Sequence, residues 1–396
     1  MIIYDNIHGY INIDIIAKSI IDTDIFQRLR NIHQTGVLYL IFPTATHSRF
    51  EHSVGTYYLA NLLITNLRKN QPELNITDDI IQLVSIAGLC HDLGHLLYSH
   101  LFDDCFLPKL PNYKELIEKT DNVNHENRSI FLLKYLINKY NINLDKDQIL
   151  VISDLIHPKN ASYSNWKEKY QVGEWIFQIV SNPINSIDVD KFDYLVRDNL
   201  AVGTKWNFNP ARLINDVKVI NNNICYSKQC SEDIYQMFQI RYRLHRQIYN
   251  HKAVKAIEIL IIQLLFEIEK ELNISEYILD AEKMLELIDP FIFQIKNPTI
   301  NNIWNKINSR KLPKLIFEDI SLQPNNYINL EEYKNINIEI IKFTAGYVGA
   351  NSNNPLNNIY FYDIKSNKLI NNSIEIFSLF INENFREYFT RIYILN

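Results

Sequence analysis

Residues 80–89 read Ile-Ile-Gln-Leu-Val-Ser-Ile-Ala-Gly-Leu, and this run most limits what the chain can become. Its apolar residues fall on more than one helical face, so a helix buried inside a core is expected. The run ends in Cys90-His91-Asp92-Leu93-Gly94-His95, with Ser99-His100-Leu101-Phe102-Asp103 just beyond. A buried helix ending in His-Asp brings an imidazole and a carboxylate to the rim of that core. Without partners the pair would be costly to bury. Neutral imidazole and ionised carboxylate suit a borderline or hard divalent metal. A metal or a hydrogen-bonded network is therefore expected here.

One His-Asp pair is weak evidence, and its company strengthens it. Upstream stands His47-Ser48-Arg49-Phe50-Glu51-His52; downstream stand Asp188-Val189-Asp190-Lys191-Phe192-Asp193-Tyr194 and Arg197-Asp198. Each position also has a plainer use. His52 could cap its own helix, and Asp190 could pair with Lys191 or Arg197. Arg49, Lys191 and Arg241 could be ordinary surface ion pairs or contacts to phosphate.

The net charge of −5 gives no bulk attraction to nucleic acid or a membrane surface. The four cysteines lack paired CxxC spacing, which favours a reducing compartment over a disulfide framework. Residues 1–10 show no basic region followed by an apolar run, so no secretory signal is expected. The richest apolar stretch, residues 257–268, holds Glu258, Gln263 and Glu267 and is too short to span a bilayer. No membrane association is expected.

In chain order, residues 2–9 read as one extended stretch, with a helix beginning near Ile13. Asp22-Thr23 offers a helix cap, and that helix should end by Gln34, Thr35 and Gly36. Helices are also expected over 51–67, 124–140 and 145–156, and residues 157–170 read as a polar surface excursion. Asn221-Asn222-Asn223 marks the turn of a small hairpin within 214–226. Residues 231–273 form the longest helical pattern, broken near Asn250. Further on, Ile336, Ile338 and Ile340 alternate with polar residues, 351–354 read as a loop, and 359–364 are rich in β-formers. The fold class is mainly α: a helical core over 1–272 and a smaller α+β C-terminal lobe over 273–396.

A His, then His-Asp, then a distant Asp is the order of the HD phosphohydrolase superfamily. Asp5-x-Ile7-His8-Gly9, Phe26-Gln27-Arg28-Leu29-Arg30, Arg49-Phe50-Glu51-His52-Ser53, Ala87-Gly88-Leu89-Cys90-His91-Asp92-Leu93-Gly94-His95, Ile187-Asp188-Val189-Asp190-Lys191 and Leu244-His245-Arg246 narrow it. Tyr249 and His251-Lys252 continue the match. From Asp5 to about Lys252 the chain resembles the catalytic core of the sterile-alpha-motif branch of HD-domain deoxynucleoside triphosphate triphosphohydrolases. The likeness loosens towards the C-terminus.

The resemblance implies an HD-domain core that hydrolyses deoxynucleoside triphosphates to deoxynucleoside and inorganic triphosphate. It implies His52, His91, Asp92 and Asp190 as ligands of a divalent metal (Fe, Mn, Zn or Mg), with room for a second Mg arriving with the substrate. His100 is expected as the acid that protonates the leaving 5′-oxygen, with Asp103 and His125 as its relay and His95 near the phosphates. Arg49, Lys191 and Arg241 would meet the triphosphate, and Tyr194 would add a hydroxyl donor. Gln34 and Asp198 would grip the sugar 3′-hydroxyl, Tyr249 would crowd the 2′ position, and Thr35 would face the base.

Asp22, Gln27, Arg30, Arg212, His251 and Lys252 match positions of a GTP/dNTP activator site. That site goes with a homo-oligomer, dimer or tetramer, in the cytoplasm or nucleus. Departures bear on this site. Met1 and Tyr4 stand where a basic residue and an asparagine are expected, Ser227 and Gln229 stand where basic residues are expected, and no sterile-alpha-motif domain is expected. Altered activation is the expectation. The rival readings are an HD phosphohydrolase acting on another nucleotide phosphoester, and a catalytically silent nucleotide- or nucleic-acid-binding homologue.

Overall fold

The computed structural model describes residues 1–158, 166–324, 330–349, 353–370, 376–377 and 384–395. Parts of the expected excursion at 157–170 and of the loop at 351–354 lie outside the described residues. The architecture is mainly α with small sheets, as expected.

The opening residues form a hairpin, β1 (Ile2–Asp5) against β2 (Gly9–Asn12), rather than one extended stretch. Asp5 explains the reversal. Its Oδ1 accepts from the Ile7 and His8 amides at 2.8 and 2.9 Å, and Gly9 takes φ +73°. Helix α1 (Ile15–Ile21) begins later than expected because Asp14 caps it, accepting from the Ile16 and Ala17 amides. Thr23 caps the short α2 (Asp24–Gln27), which tightens into a 3₁₀ turn over Arg28–Asn31 and stops before Gln34.

The core is built on α3 (Arg49–Asn70) and α4 (Asp78–Cys90). Every α4 residue from Ile80 to Cys90 is buried except the half-buried Gln82, as an all-round apolar helix requires. Gly88 lets the two helices close up: a Cβ there would lie 2.9 Å from the Thr56 carbonyl oxygen. Around this pair stand α5 (Tyr113–Lys119), α6 (His125–Tyr140), α7 (Lys146–Ile156), α8 (Lys167–Tyr170) and α9 (Val189–Ala201). Asn124, Asp145 and Asp188 cap α6, α7 and α9.

After α10 (Ala211–Asn215) comes the expected hairpin, β3 (Lys218–Ile220) with β4 (Asn223–Ser227), turned by Asn221 and Asn222 at φ 51° and 61°. The long helical pattern divides into α11 (Ser231–Arg243), a π-helical turn over Leu244–Tyr249, and α12 (Lys252–Leu272). Then follow α13 (Ala281–Glu286), α14 (Pro298–Asn308), β5 (Lys314–Ser321), β6 (Ile338–Gly346), β7 (Tyr360–Tyr362), β8 (Leu369–Ile370) and β9 (Arg386–Ile394). Strand β9 lies antiparallel between β5 and β6, while β7 adds parallel to β4 and extends the hairpin's sheet. No helix among the described residues is long and apolar enough to cross a membrane.

Candidate functional site

Three elements bring the first group together. His52 sits in the first turn of α3, and His91 follows the end of α4. Asp190 lies in the first turn of α9. The Nε2 atoms of His52 and His91 are 3.2 Å apart, and Asp190 Oδ1 lies 3.1 Å from the first and 3.6 Å from the second. His91 Nδ1 donates to the Gly88 carbonyl at 2.8 Å. His52 Nδ1 faces an Asp193 oxygen at 2.8 Å, and a carboxylate only accepts.

Both Nε2 atoms therefore face the same point, where a shared proton or a cation would satisfy them. Burial would lower the His52 pKa, but the Asp190 and Asp193 carboxylates outweigh it and hold it at about 10. The same negative field draws a proton or a metal. A divalent cation fits this donor set.

Asp92 stands between two groups. Its oxygens lie 3.5 Å from His52 Nε2 and 3.4 Å from His91 Nε2. It also forms a second potential ligand group with His95 and His125. Arg49 Nη1 contacts Asp92 Oδ2 at 2.5 Å, and its other donors reach the Gln34 carbonyl and Ser99 Oγ. Arg49 thus lines the cavity with each of its three nitrogens already donating to protein.

The histidines beyond form a stacked cluster. His95 lies parallel to His125 with ring centroids 4.0 Å apart, and His100 stands edge-on to both at 5.0 and 5.3 Å. His95 Nε2 is 3.3 Å from Asp92 Oδ1, but poorly aligned for a hydrogen bond. Burial, with the charges of Arg49 and His125, keeps His95 well below the usual imidazole range. Burial acts downward on His125 too, yet Asp103 at 3.4 Å and Glu126 raise it. The pKa values of two neighbouring imidazoles are thus pushed in opposite directions. The His100 side chain is 60% exposed, lies 3.5 Å from Asp104 and lines the cavity into which the cluster opens.

Two buried arginines hold the turn that carries these groups. Arg28 donates to the Leu93 and His95 carbonyls, and Arg128 Nε donates to the Gly94 carbonyl at 2.8 Å. Arg128 Nη2 also holds Asp103 at 2.5 Å. Burial and the nearby Arg128 charge bring Arg28 down to about 9. Gly94 has no room for a side chain: a Cβ would lie 2.2 Å from the His125 carbonyl oxygen. Tyr98 and Ser99 both take left-handed backbone, φ 57° and 56°, just before His100. Asp289, from the C-terminal region, accepts from the Tyr98 amide at 2.7 Å and from the His33 amide at 2.9 Å.

The cluster opens into a cavity of about 560 Å³. Gln34, Thr35, Arg49, His91, Asp92, His95, His100, His125, Asp190, Lys191, Tyr194, Asp198, Arg241 and Tyr249 all line it; the buried His52 and Asp103 stand behind its wall. Gln34 Oε1 and Thr35 Oγ1 are buried without a hydrogen-bond partner, as befits groups kept for a ligand. Asp198 is held between His47 Nε2 at 2.7 Å and the Tyr249 hydroxyl at 2.5 Å. Lys191 pairs with Asp188 at 3.1 Å. Arg241 donates to the Gly346 carbonyl at the end of β6.

The candidate activator residues are not in this cavity. Asp22 pairs with Lys18, while the Gln27 side chain accepts from Arg30, whose guanidinium lies over the Phe50 ring. Arg212 pairs with Asp233, and His251 caps α12 next to Lys252. No hydrogen bond or ion pair joins these three groups among the described residues.

His47, His245, Asp193, Arg28, Arg128 and Asp289 were not singled out from sequence. His47 and Asp193 lie inside the quoted motifs, so spacing alone could have nominated them. Arg28 and His245 lie within quoted motifs as well, but nothing local announces a carbonyl clamp or a wall of the cavity. Arg128 and Asp289 act through partners far away in the chain.

No protein-family model matches the chain. Curated relatives do. The putative HD domain-containing protein L394 of Acanthamoeba polyphaga mimivirus is 36% identical over 90% of this chain and 84% of its own length. The deoxynucleoside triphosphate triphosphohydrolase SAMHD1 homolog of Dictyostelium discoideum is 37% identical over 81% of this chain, which spans 60% of that relative. The deoxynucleoside triphosphate triphosphohydrolase SAMHD1 of Homo sapiens is 31% identical over 99% of this chain and 70% of its own length. The chain belongs to the SAMHD1 family of HD-domain deoxynucleoside triphosphate triphosphohydrolases.

Proposed function

We propose that the protein cleaves deoxynucleoside triphosphates to deoxynucleoside and inorganic triphosphate. One observation carries this reading: the His52, His91 and Asp190 donors converge at the floor of a cavity walled by Lys191, Tyr194, Arg241, Gln34 and Tyr249. His52, His91, Asp92 and Asp190 would hold a divalent cation, whose chemistry when bound is Lewis acidity and an acidified water. Lys191, Tyr194 and Arg241 place the triphosphate. Arg49 keeps Asp92 oriented and has N–H groups left for a phosphate. Gln34 and Asp198 hold the sugar edge, and Tyr249, tied to Asp198, fills the space beside it. His125, whose proton Asp103 helps to hold, supplies the proton that His100 passes to the leaving 5′-oxygen. A second Mg is expected to arrive with the phosphates of the substrate.

Activation by GTP or a deoxynucleotide is altered in this reading. Tyr4 presents an exposed ring rather than an amide, and Ser227 is buried, its hydroxyl accepting from the Gln229 amide. Neither offers a cation to a guanine nucleotide. A homo-oligomer, and a division of the chain at 272/273, complete the proposal. The test is a panel of four deoxynucleotides and the matching ribonucleotides, with and without GTP, with products resolved and metal content measured. Inorganic triphosphate from deoxynucleotides is the expected product. Orthophosphate points to another phosphoesterase, and no turnover with Mg, Mn or Fe supplied points to a silent binder. Strong dependence on GTP would refute altered activation.

A further inference from the structure

We propose that Asp193 is the positioning residue that aims His52 at the cation, and that the turn of the β1–β2 hairpin completes its support through His8. The inference rests on the metal reading above. His52 is fully buried, and its Nδ1 meets Asp193 Oδ2 at 2.8 Å. That contact fixes the tautomer, because the carboxylate accepts and the Nε2 lone pair is left facing His91 and Asp190. His91 is aimed differently, by the neutral Gly88 carbonyl. One of the two imidazoles thus leans on a full negative charge, which makes it the stronger donor.

Asp193 is itself held on every side. Oδ2 accepts from Arg197 Nε at 2.8 Å; Oδ1 accepts from Arg197 Nη2 at 2.9 Å and meets His8 Nε2 at 2.7 Å. Arg197 Nη1 reaches across to Asp5 Oδ2 at 2.9 Å, and Asp5 Oδ1 shapes the turn that presents His8. Two carboxylates against one guanidinium leave this support negative, the sign that favours a cation at His52. The helix opposite makes room for it: a Cβ on Gly55 would lie 2.0 Å from Asp193 Oδ1. The first ten residues therefore contribute to the metal centre from behind, although none of them lines the cavity.

The alternative is a purely structural Asp193–Arg197 pair between successive turns of α9, and the two differ in what they predict for metal. Full-length metal-free protein is titrated with Co²⁺, following its visible absorption and, in parallel, competition by Mn²⁺. The melting temperature of the metal-free protein is recorded separately. Asp193→Asn is expected to weaken Co²⁺ about 10–100-fold and to change its absorption band. His8→Ala is expected to weaken it less, and His8→Gln, which keeps an N–H donor, to restore part of the loss. Should Asp193→Asn fail to fold, Gly55→Ala displaces the carboxylate while keeping it, and is expected to lower Co²⁺ affinity as well. Wild-type affinity and spectrum in these variants, with only a lower melting temperature, would overturn the inference and leave the metal reading standing. If wild type and His91→Ala are equally indifferent to Co²⁺, the metal reading falls and takes the inference with it.

Discussion

The histidine cluster of the candidate site and the candidate activator patch differ in how tightly their side chains are held. Around His52, His91 and His125 the side chains are buried or half-buried and several are held by partners from distant parts of the chain, while Gln34 Oε1, Thr35 Oγ1 and both His95 ring nitrogens stay unpartnered. At Asp22, Gln27 and Arg30 the ion-pair and hydrogen-bond partners are near neighbours in sequence on an open surface, and Arg212 pairs with Asp233 there, while Arg30 also covers Phe50. Buried groups have no water to fall back on, so their geometry is fixed before any ligand arrives. Surface pairs trade freely with solvent and carry little stability. Substitutions in the first region should therefore be costly and in the second cheap, and the exceptions would be informative.

The largest effect belongs to the ligands. His91→Ala combined with Asp92→Ala should lower kcat by at least about 10³-fold, because a whole catalytic unit is lost. The fold should survive, and far-UV circular dichroism with single-turnover kinetics checks both. Turnover near wild type would break the comparison at its strongest point.

Next come the groups under the loop. Arg128→Met leaves Asp103 buried without its guanidinium and should destabilise the protein by about 3–5 kcal/mol in urea titration. Gly94→Ala forces a methyl against the His125 carbonyl and should destabilise it by about 1–3 kcal/mol while impairing turnover. A tolerated Gly94→Ala would mean that the loop is looser than its two arginine clamps suggest.

What was legible in the sequence follows the same division. His91 and Asp92 announced themselves because an all-apolar helix ran straight into them, and the hairpin at Asn221 and Asn222 because two left-handed residues favour asparagine. The hairpin at residues 2–12 was missed because its turn depends on one Asp5 side chain accepting two amides. Arg28, Arg128 and Asp289 were missed for a different reason. Their partners lie tens to hundreds of residues away, and no periodicity encodes a contact of that kind. The resemblance supplied the roles of the cavity residues, whereas the engagement of Arg49 by Asp92 emerged only from packing.

A pH profile sharpens the comparison within the cluster. The folded pKa of His125 is raised above the ordinary imidazole value, against the effect of burial, by Asp103 and Glu126. A raised folded pKa adds stability that is complete below the unfolded value, about 6.5, and is lost as pH rises through the folded one. If His125 works as the protonated partner, kcat should fall on that same alkaline limb. His125→Ala should remove the limb as well as most of the rate. An alkaline limb unchanged in His125→Ala would assign it to another group.

The smallest expected change lies on the surface. Asp22→Ala removes a contact with Lys18 between two half-exposed side chains four residues apart, a pair whose worth is about 0.3–0.5 kcal/mol. Stability should barely move. Its effect on GTP response is the sensitive readout, since stability and ligand binding are then separable at one residue. If wild-type turnover is independent of GTP, Asp22→Ala should match it under every condition. If GTP stimulates the wild type and Asp22→Ala alone abolishes that stimulation, the surface cluster is a nucleotide site after all. Its loose partnering would then be the mark of a site that waits for its ligand, in contrast to a centre assembled in advance.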